Sequence, residues 1–191
     1  MIVIPQDVFI LDDSTRTNLD PSGTVPDTTL IETLEKVQLW EVLKSRSAEG
    51  ERGSDPLSSS LKSTPLSQGE SQLFSLARAL LLKGRSHILI LDEATSNVDG
   101  DTDKLIQEII REEFKGYTIL TVAHRLDSIR DADLILVLDK GRVVEVGEPG
   151  VLLGKKAGQS GEGEERDEEG DINGVSNDGK AWFREMWEYA H

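Results

Sequence analysis

An α/β fold with a parallel sheet is predicted for this chain. Apolar runs of strand length alternate with stretches of helical period between residues 67 and 138. One of those runs, His87-Ile-Leu-Ile-Leu91, is continuously apolar, as expected of a strand buried on both faces. The chain has 191 residues, 37% hydrophobic and 30% charged, enough for one domain with a real core.

The elements follow in order. Residues 1–10 read as a strand broken by Pro5. Residues 12–23 are polar and turn-rich, ending in Asn18-Leu19-Asp20-Pro21. Over residues 28–43, Leu30, Ile31, Leu34, Val37, Leu39 and Leu43 recur at helical spacing, with Asp27 placed as the N-cap. Residues 44–65 are rich in Ser, Gly, Glu and Pro and read as a long surface loop. Ser67 precedes a helix over 72–82, with Leu73, Leu76, Ala77 and Leu80 on one face. After the 87–91 strand come a helix over 102–114, a β-branched strand over 117–122 and a short helix over 126–130. A strand over 133–138, a turn at Lys140-Gly141 and an edge strand over 142–146 complete the pattern. Three regions result: a domain over residues 1–150, an acidic disordered linker over 151–179, and a helix over 180–191. Seven acids crowd residues 162–171 of the linker without an apolar anchor. In the last region Trp182, Phe183, Met186 and Trp187 form an aromatic-rich stripe expected to dock back on the domain.

Composition excludes several functions. A net charge of −15 leaves no broad basic face to replace phosphate counterions, so no nucleic-acid partner is expected. With no cysteine, neither a disulfide framework nor a thiolate metal site can form. No apolar run approaches membrane-spanning length, so these residues are not expected to cross a bilayer, although they can lie beside one.

The chemistry concentrates in Asp92-Glu93, which end the 87–91 run. A strand that delivers two carboxylates at its C-terminal end can present one to a metal and the other to a reacting water. Asp92 is the candidate ligand for Mg²⁺ and Glu93 the candidate general base. An Asp after a strand can equally cap the next helix. Leu66-Ser67-Gln68-Gly69-Glu70 opens the 72–82 helix, where a hydroxyl, a Gly and free backbone N–H groups suit an anion. Ser67 with Glu70 is also an ordinary capping box.

In order and spacing, these motifs and Ala94-Thr-Ser-Asn-Val-Asp99 and Thr121-Val-Ala-His124-Arg125 resemble the ATPase domains of ABC transporters. The resemblance covers residues 1 to about 150. Ile4-Pro5-Gln6-Asp7 resembles that family's Q-loop. Asn18-Leu19-Asp20-Pro21 is similar to the second nucleotide-binding domain of subfamily C, the multidrug-resistance-associated type. The resemblance implies a P-loop NTPase-like sheet with a helical signature subdomain, and ATP and Mg²⁺ as cofactors. It implies that Gln6 contacts the Mg²⁺ or the water, and that His124 donates to the γ-phosphate. A lone His ending a strand is otherwise more often structural. Ser67, Gln68 and Gly69 are then the signature that meets an ATP held by a second nucleotide-binding domain, and Asp99 lines the seam between the two domains. The partners implied are that second domain and the transmembrane domains. The setting implied is the cytosolic face of a plasma or vacuolar membrane, reached through the full-length protein.

Two residues depart from the family pattern. Gln68 stands for a usual Gly, and Glu70 for a usual Gln, whose added charge is expected to weaken the phosphate site. No G-x-x-x-x-G-K-[ST] loop precedes Gln6. The near matches Gly174-Val-Ser-Asn-Asp-Gly179-Lys180-Ala181 and Gly150-Val-Leu-Leu-Gly154-Lys155-Lys156 both lack the metal-binding hydroxyl. The chain is therefore expected to be an N-terminally truncated ABC ATPase domain of a transporter, itself inactive. The alternatives are a non-catalytic domain that binds a partner, and a soluble non-transport ABC ATPase.

Overall fold

A computed structural model describes residues 1–49, 55–62, 65–95, 98–123, 129–154 and 181–190. The chain divides into two compact units, Met1–His124 and Arg125–His191. Among the described residues no helix is long and apolar enough to cross a membrane.

The first unit holds a three-stranded sheet of β1 (Ile2–Ile4), β2 (Ile88–Asp92) and β3 (Thr118–Val122), all parallel, with β2 in the middle. Between β1 and β2 the chain passes through α1 (Thr15–Leu19), α2 (Asp27–Lys36), α3 (Trp40–Glu49) and α4 (Gln68–Leu81). Between β2 and β3 it passes through α5 (Gly100–Glu113). β2 buries Leu89 and Leu91 on one side but leaves Ile88 exposed, so the expectation of a strand buried on both faces holds for one face only. β3 keeps Leu120 and Val122 exposed.

α4 is the centre of this unit. Residues 72–77 are buried all round the helix rather than along one stripe, because β1, α1, α2 and α5 surround it. Its Leu73, Phe74, Leu76 and Ala77 join Ile2, Ile4, Leu30, Leu34, Leu89, Ile106 and Phe114 in one core. Leu80, expected on the buried face, is only partly covered. Arg78 of α4 reaches back to the segment after β1, donating from Nε to the Asn18 carbonyl at 2.6 Å and from a terminal nitrogen to that of Phe9 at 2.7 Å.

Four expectations are corrected. The 12–23 connection contains α1, whose N-cap Ser14 accepts from the Thr17 amide; the buried Asn18 holds the preceding turn by bonding both the N–H and the carbonyl of Leu11. The 28–43 helix is two helices. Gln38 takes a left-handed φ of 59°, and the amides of Gln38 and Leu39 bond the carbonyls of Glu35 and Leu34 at 2.9 Å each. That is a Schellman stop, sealed by the buried pair Leu34 and Leu39, with Gln where Gly is usual. Asp27 is the first helical residue and pairs with Arg16, while the N-cap is Pro26. The 44–65 loop is helical through Glu49, and its later part is anchored by the buried Leu57 and Leu61. The amides of Thr15 and Arg16 bond the carbonyls of Ser59 and Leu57 at 2.9 Å, tying that segment to α1. Two leucines in a Ser-rich stretch carry the anchoring, which composition averages out.

The second unit is an antiparallel hairpin of β4 (Ile135–Asp139) and β5 (Arg142–Gly147). Lys140 and Gly141 both have positive φ, as a two-residue hairpin turn requires. α6 (Pro149–Leu152) follows, and α7 (Trp182–Ala190) packs on the hairpin. Phe183 is 1% exposed against Ile135, Val137 and Val144, and its N–H donates to Glu145 Oε2 at 2.7 Å. Met186 departs from the expected stripe and stays exposed. The expected linker lies almost wholly outside the described residues, as does most of the expected 126–130 helix.

Left-handed backbone costs a non-Gly residue about 1–2 kcal/mol. Exposed Gln38 therefore makes a direct test. Gln38→Gly should leave stability unchanged or raise it by up to about 1 kcal/mol. Gln38→Val, β-branched, should lower it by about 1–2 kcal/mol. Urea midpoints of the two variants should move apart in that order.

Candidate functional site

The site grows out of strand register. β1 and β2 are parallel with Ile4 opposite Leu91, so both chains leave the same sheet edge, β1 into Pro5-Gln6 and β2 into Asp92-Glu93. Gln6 Nε2 donates to Glu93 Oε2 at 2.9 Å, joining residues 87 positions apart. Asp92 is the last residue of β2, level with Val122 of β3, and is exposed. Glu93 turns off the strand with a left-handed φ of 47°, while its N–H donates to the Val122 carbonyl at 3.0 Å. A non-Gly residue in this conformation costs about 1–3 kcal/mol and persists only where its surroundings hold it. Here the ladder bond and Gln6 hold it. The adjacent carboxylates thus diverge: one ends the strand, the other is turned and clamped.

Helix α4 supplies the next part. Ser67 is its N-cap and makes the full capping box with Glu70. The Ser67 hydroxyl accepts from the Glu70 N–H at 3.3 Å, and Glu70 Oε2 accepts from the Ser67 N–H at 2.7 Å. Ser67 and Gln68 are exposed. Gly69 is packed close to the start of α5: a Cβ there would meet Thr102 Cγ2 at 3.4 Å and Asp99 Oδ2 at 3.7 Å. Asp99 itself caps α5, accepting from the N–H groups of Asp101 and Thr102. The N–H and hydroxyl of Thr102 hold its carboxyl below the usual range.

The charge of Glu70, expected to burden this turn, is compensated. Arg46 of α3 binds both Glu70 oxygens from one guanidinium nitrogen, at 2.8 and 2.9 Å. Burial pushes the Glu70 carboxyl up, but the Ser67 amide and Arg46 outweigh it and leave it below its ordinary value. Arg46 lies in the part of α3 that falls within the stretch expected to be loop.

Of the sequence candidates, the structure brings together Gln6 with Glu93 and Gly69 with Asp99. His124 lies outside the described residues. Two residues that sequence reasoning missed belong to the same constellation, Arg46 and Gln72. Gln72 of α4 donates from Nε2 to the Gln6 carbonyl at 2.5 Å. Its signal was a long polar side chain beside Leu73 and Phe74, in a stretch otherwise fit for core.

Fold and site together are those of an α/β protein that presents an acidic pair at the carboxyl edge of a parallel sheet, beside a capped helix. The relatives of this chain are ABC transporters. It is 44% identical over 150 residues to ABC multidrug transporter B of Aspergillus fumigatus, a match that covers 78% of the chain and 10% of that protein. It is 45% identical over 163 residues to ABC transporter C family member 12 of Dictyostelium discoideum, covering 83% and 11%. With bile pigment transporter 1 of Saccharomyces cerevisiae it shares 41% identity over 168 residues, covering 82% and 11%. A solved bacterial Atm1-family ABC exporter with ATP bound matches with a TM-score of 0.71 and 25% identity, covering 98% of this chain and 27% of the exporter chain. No family model matches the chain. The chain spans about a tenth of the length of the curated relatives it matches.

Because the Glu70 carboxyl is depressed in the folded state, its contribution is present above the unfolded carboxylate value near about pH 4.3. It is lost as pH falls through the lower folded value. Arg46→Ala raises the folded value, so the acid unfolding midpoint should move to higher pH. A double-mutant cycle of Arg46→Ala with Glu70→Gln should give a coupling of about 1 kcal/mol. Superimposable acid titrations of wild type and Arg46→Ala would show the pair to be inert.

Proposed function

We propose that this chain is part of the ATP-binding and ATP-hydrolysing domain of an ABC-type membrane transporter, with ATP hydrolysis driving transport by the full-length protein. The observation that carries the reading is Glu93, turned off β2 by its left-handed backbone and bonded through its carboxylate to Gln6. Identity of 41–45% to ABC transporters over about four fifths of the chain supports it.

In this reading Glu93 is the general base. Its carboxylate accepts the proton of the attacking water, and Gln6 orients that carboxylate by donating to Oε2 at 2.9 Å. Asp92 and the Gln6 amide oxygen would hold Mg²⁺. Both are hard oxygen donors, and among the described residues no group of three His, Cys, Asp or Glu could hold a metal by itself. Such a sparse donor set suits an ion that keeps waters and phosphate oxygens as ligands. When bound, the ion would neutralise charge on the β- and γ-phosphates. These 191 residues contain no G-x-x-x-x-G-K-[ST] motif; in this reading a phosphate-binding loop of the full-length protein would hold the phosphates. His124, two positions after β3 in sequence, would donate to the γ-phosphate.

Ser67, Gln68 and Gly69 would meet the nucleotide held by a second nucleotide-binding domain. The exposure of Ser67 and Gln68 at the start of a capped helix supports that role, because the N–H groups there favour an anion. Asp99, packed beside Gly69, would line the same seam. The Asn18–Pro21 turn favours the second domain of a subfamily C transporter, at the cytosolic face of its membrane.

Glu93→Gln in the full-length protein that carries this chain should retain nucleotide binding while hydrolysis falls by about 10²- to 10⁴-fold. Steady-state ATPase assays with parallel nucleotide-binding measurements test this. Normal turnover in Glu93→Gln, with Asp92→Asn inactive, would mean that the two carboxylate roles are reversed.

A further inference from the structure

We propose that Gln72 is a positioning residue that couples the first turns of α4 to the carboxylate of Glu93. The proposal rests on the reading of Glu93 as general base and of Ser67–Gly69 as the surface that meets a partner's nucleotide.

Gln72 is 5% exposed, on the helix that forms the centre of the core. Its Nε2 donates to the Gln6 carbonyl at 2.5 Å and, more weakly, to the Pro5 carbonyl at 3.4 Å. Both neighbours are acceptors, so the amide can take only one orientation: nitrogen toward the 5–6 backbone, oxygen away. Oε1 is then buried with no hydrogen-bond partner among the described residues. A buried acceptor without a partner costs about 1–3 kcal/mol, and an apolar side chain of similar shape would avoid that cost. The bond made by Nε2 and the one Oε1 lacks roughly offset, so stability alone gives little preference for Gln at this position.

The geometry supplies another reason. Gln72 lies two residues beyond Glu70, inside the rigid start of α4 that Ser67 caps. Its amide grips the backbone of Gln6, and the Gln6 side chain grips Glu93. A shift of the α4 N-terminus, as when a partner's phosphates dock on it, is thereby passed through two hydrogen bonds to the base. The coupling needs no covalent step and no further ligand. It makes the orientation of Glu93 depend on whether the helix end about five residues before Gln72 is engaged.

The test uses the full-length protein that carries this chain, with Gln72→Leu and Gln72→Met as two apolar replacements of similar size. Thermal midpoints should be little changed, because loss of the orphan oxygen offsets loss of the donor to the Gln6 carbonyl. KM for Mg-ATP should be unchanged, and kcat should fall by about 10- to 100-fold. Gln6→Ala, which also removes a proposed Mg²⁺ ligand, should lower kcat at least as far, and adding Gln72→Leu to it should cost nothing more, since Gln72 acts through Gln6. Unchanged kcat in both Gln72 variants, with Glu93→Gln inactive, would overturn the proposal and leave the assignment of the base standing. A lowered midpoint with a parallel loss of activity in both variants would overturn it too, making Gln72 a packing residue. Full turnover in Glu93→Gln would instead remove the underlying reading, and the coupling with it.

Discussion

In a parallel sheet, neighbouring strands leave by the same edge, and the register between them decides which residues meet there. Ile4 opposite Leu91 is that decision in this protein. It sets Gln6 beside Glu93 across 87 residues of sequence and leaves Asp92 at the exposed strand end. A slip of one residue would turn Leu89 and Leu91 out of the core and move both partners of the Gln6–Glu93 bond. Burial of those leucines against α4 therefore fixes the chemistry as well as the fold.

α4 is pulled in two directions. Its buried middle demands apolar residues, and Leu73, Phe74, Leu76 and Ala77 supply them. Its start demands polar ones, and Ser67 and Glu70 form a capping box there. Gln72 lies at the boundary, polar where the helix is already buried, and spends its donor on the backbone before Asp7. The Glu70 charge is managed locally: the capping box uses one oxygen for the Ser67 amide, and Arg46 neutralises the group as a whole. An acidic residue beside an anion-favouring helix end is thus less of a handicap than its formal charge suggests.

Much of this was legible in the residues. The 87–91 run and its trailing carboxylates identified β2 and its two acids, because apolar continuity and strand-end acids are local signals. The capping box was legible for the same reason, as Ser67 and Glu70 lie within one turn. What failed was also local in origin. Helical period ran unbroken from residue 28 to 43, yet Gln38 adopts a left-handed stop that propensity assigns to Gly. In the stretch from 44 to 65, average composition hid the helix that supplies Arg46 and the two leucines that anchor the segment.

The sequence by itself determined the order of the strands, the helices α4 and α5, the candidate acids and the Ser67–Glu70 cap, since each depends on residues within a few positions of one another. Only the tertiary structure decided that Gln6 holds Glu93, that Arg46 pairs with Glu70, and that Gln72 spans from α4 to the end of β1. Those contacts join residues 24 to 87 positions apart. They exist because the packing of α3, α4 and the sheet brings the groups within hydrogen-bond reach, and no pattern of period 2 or 3.6 records a distance of that kind.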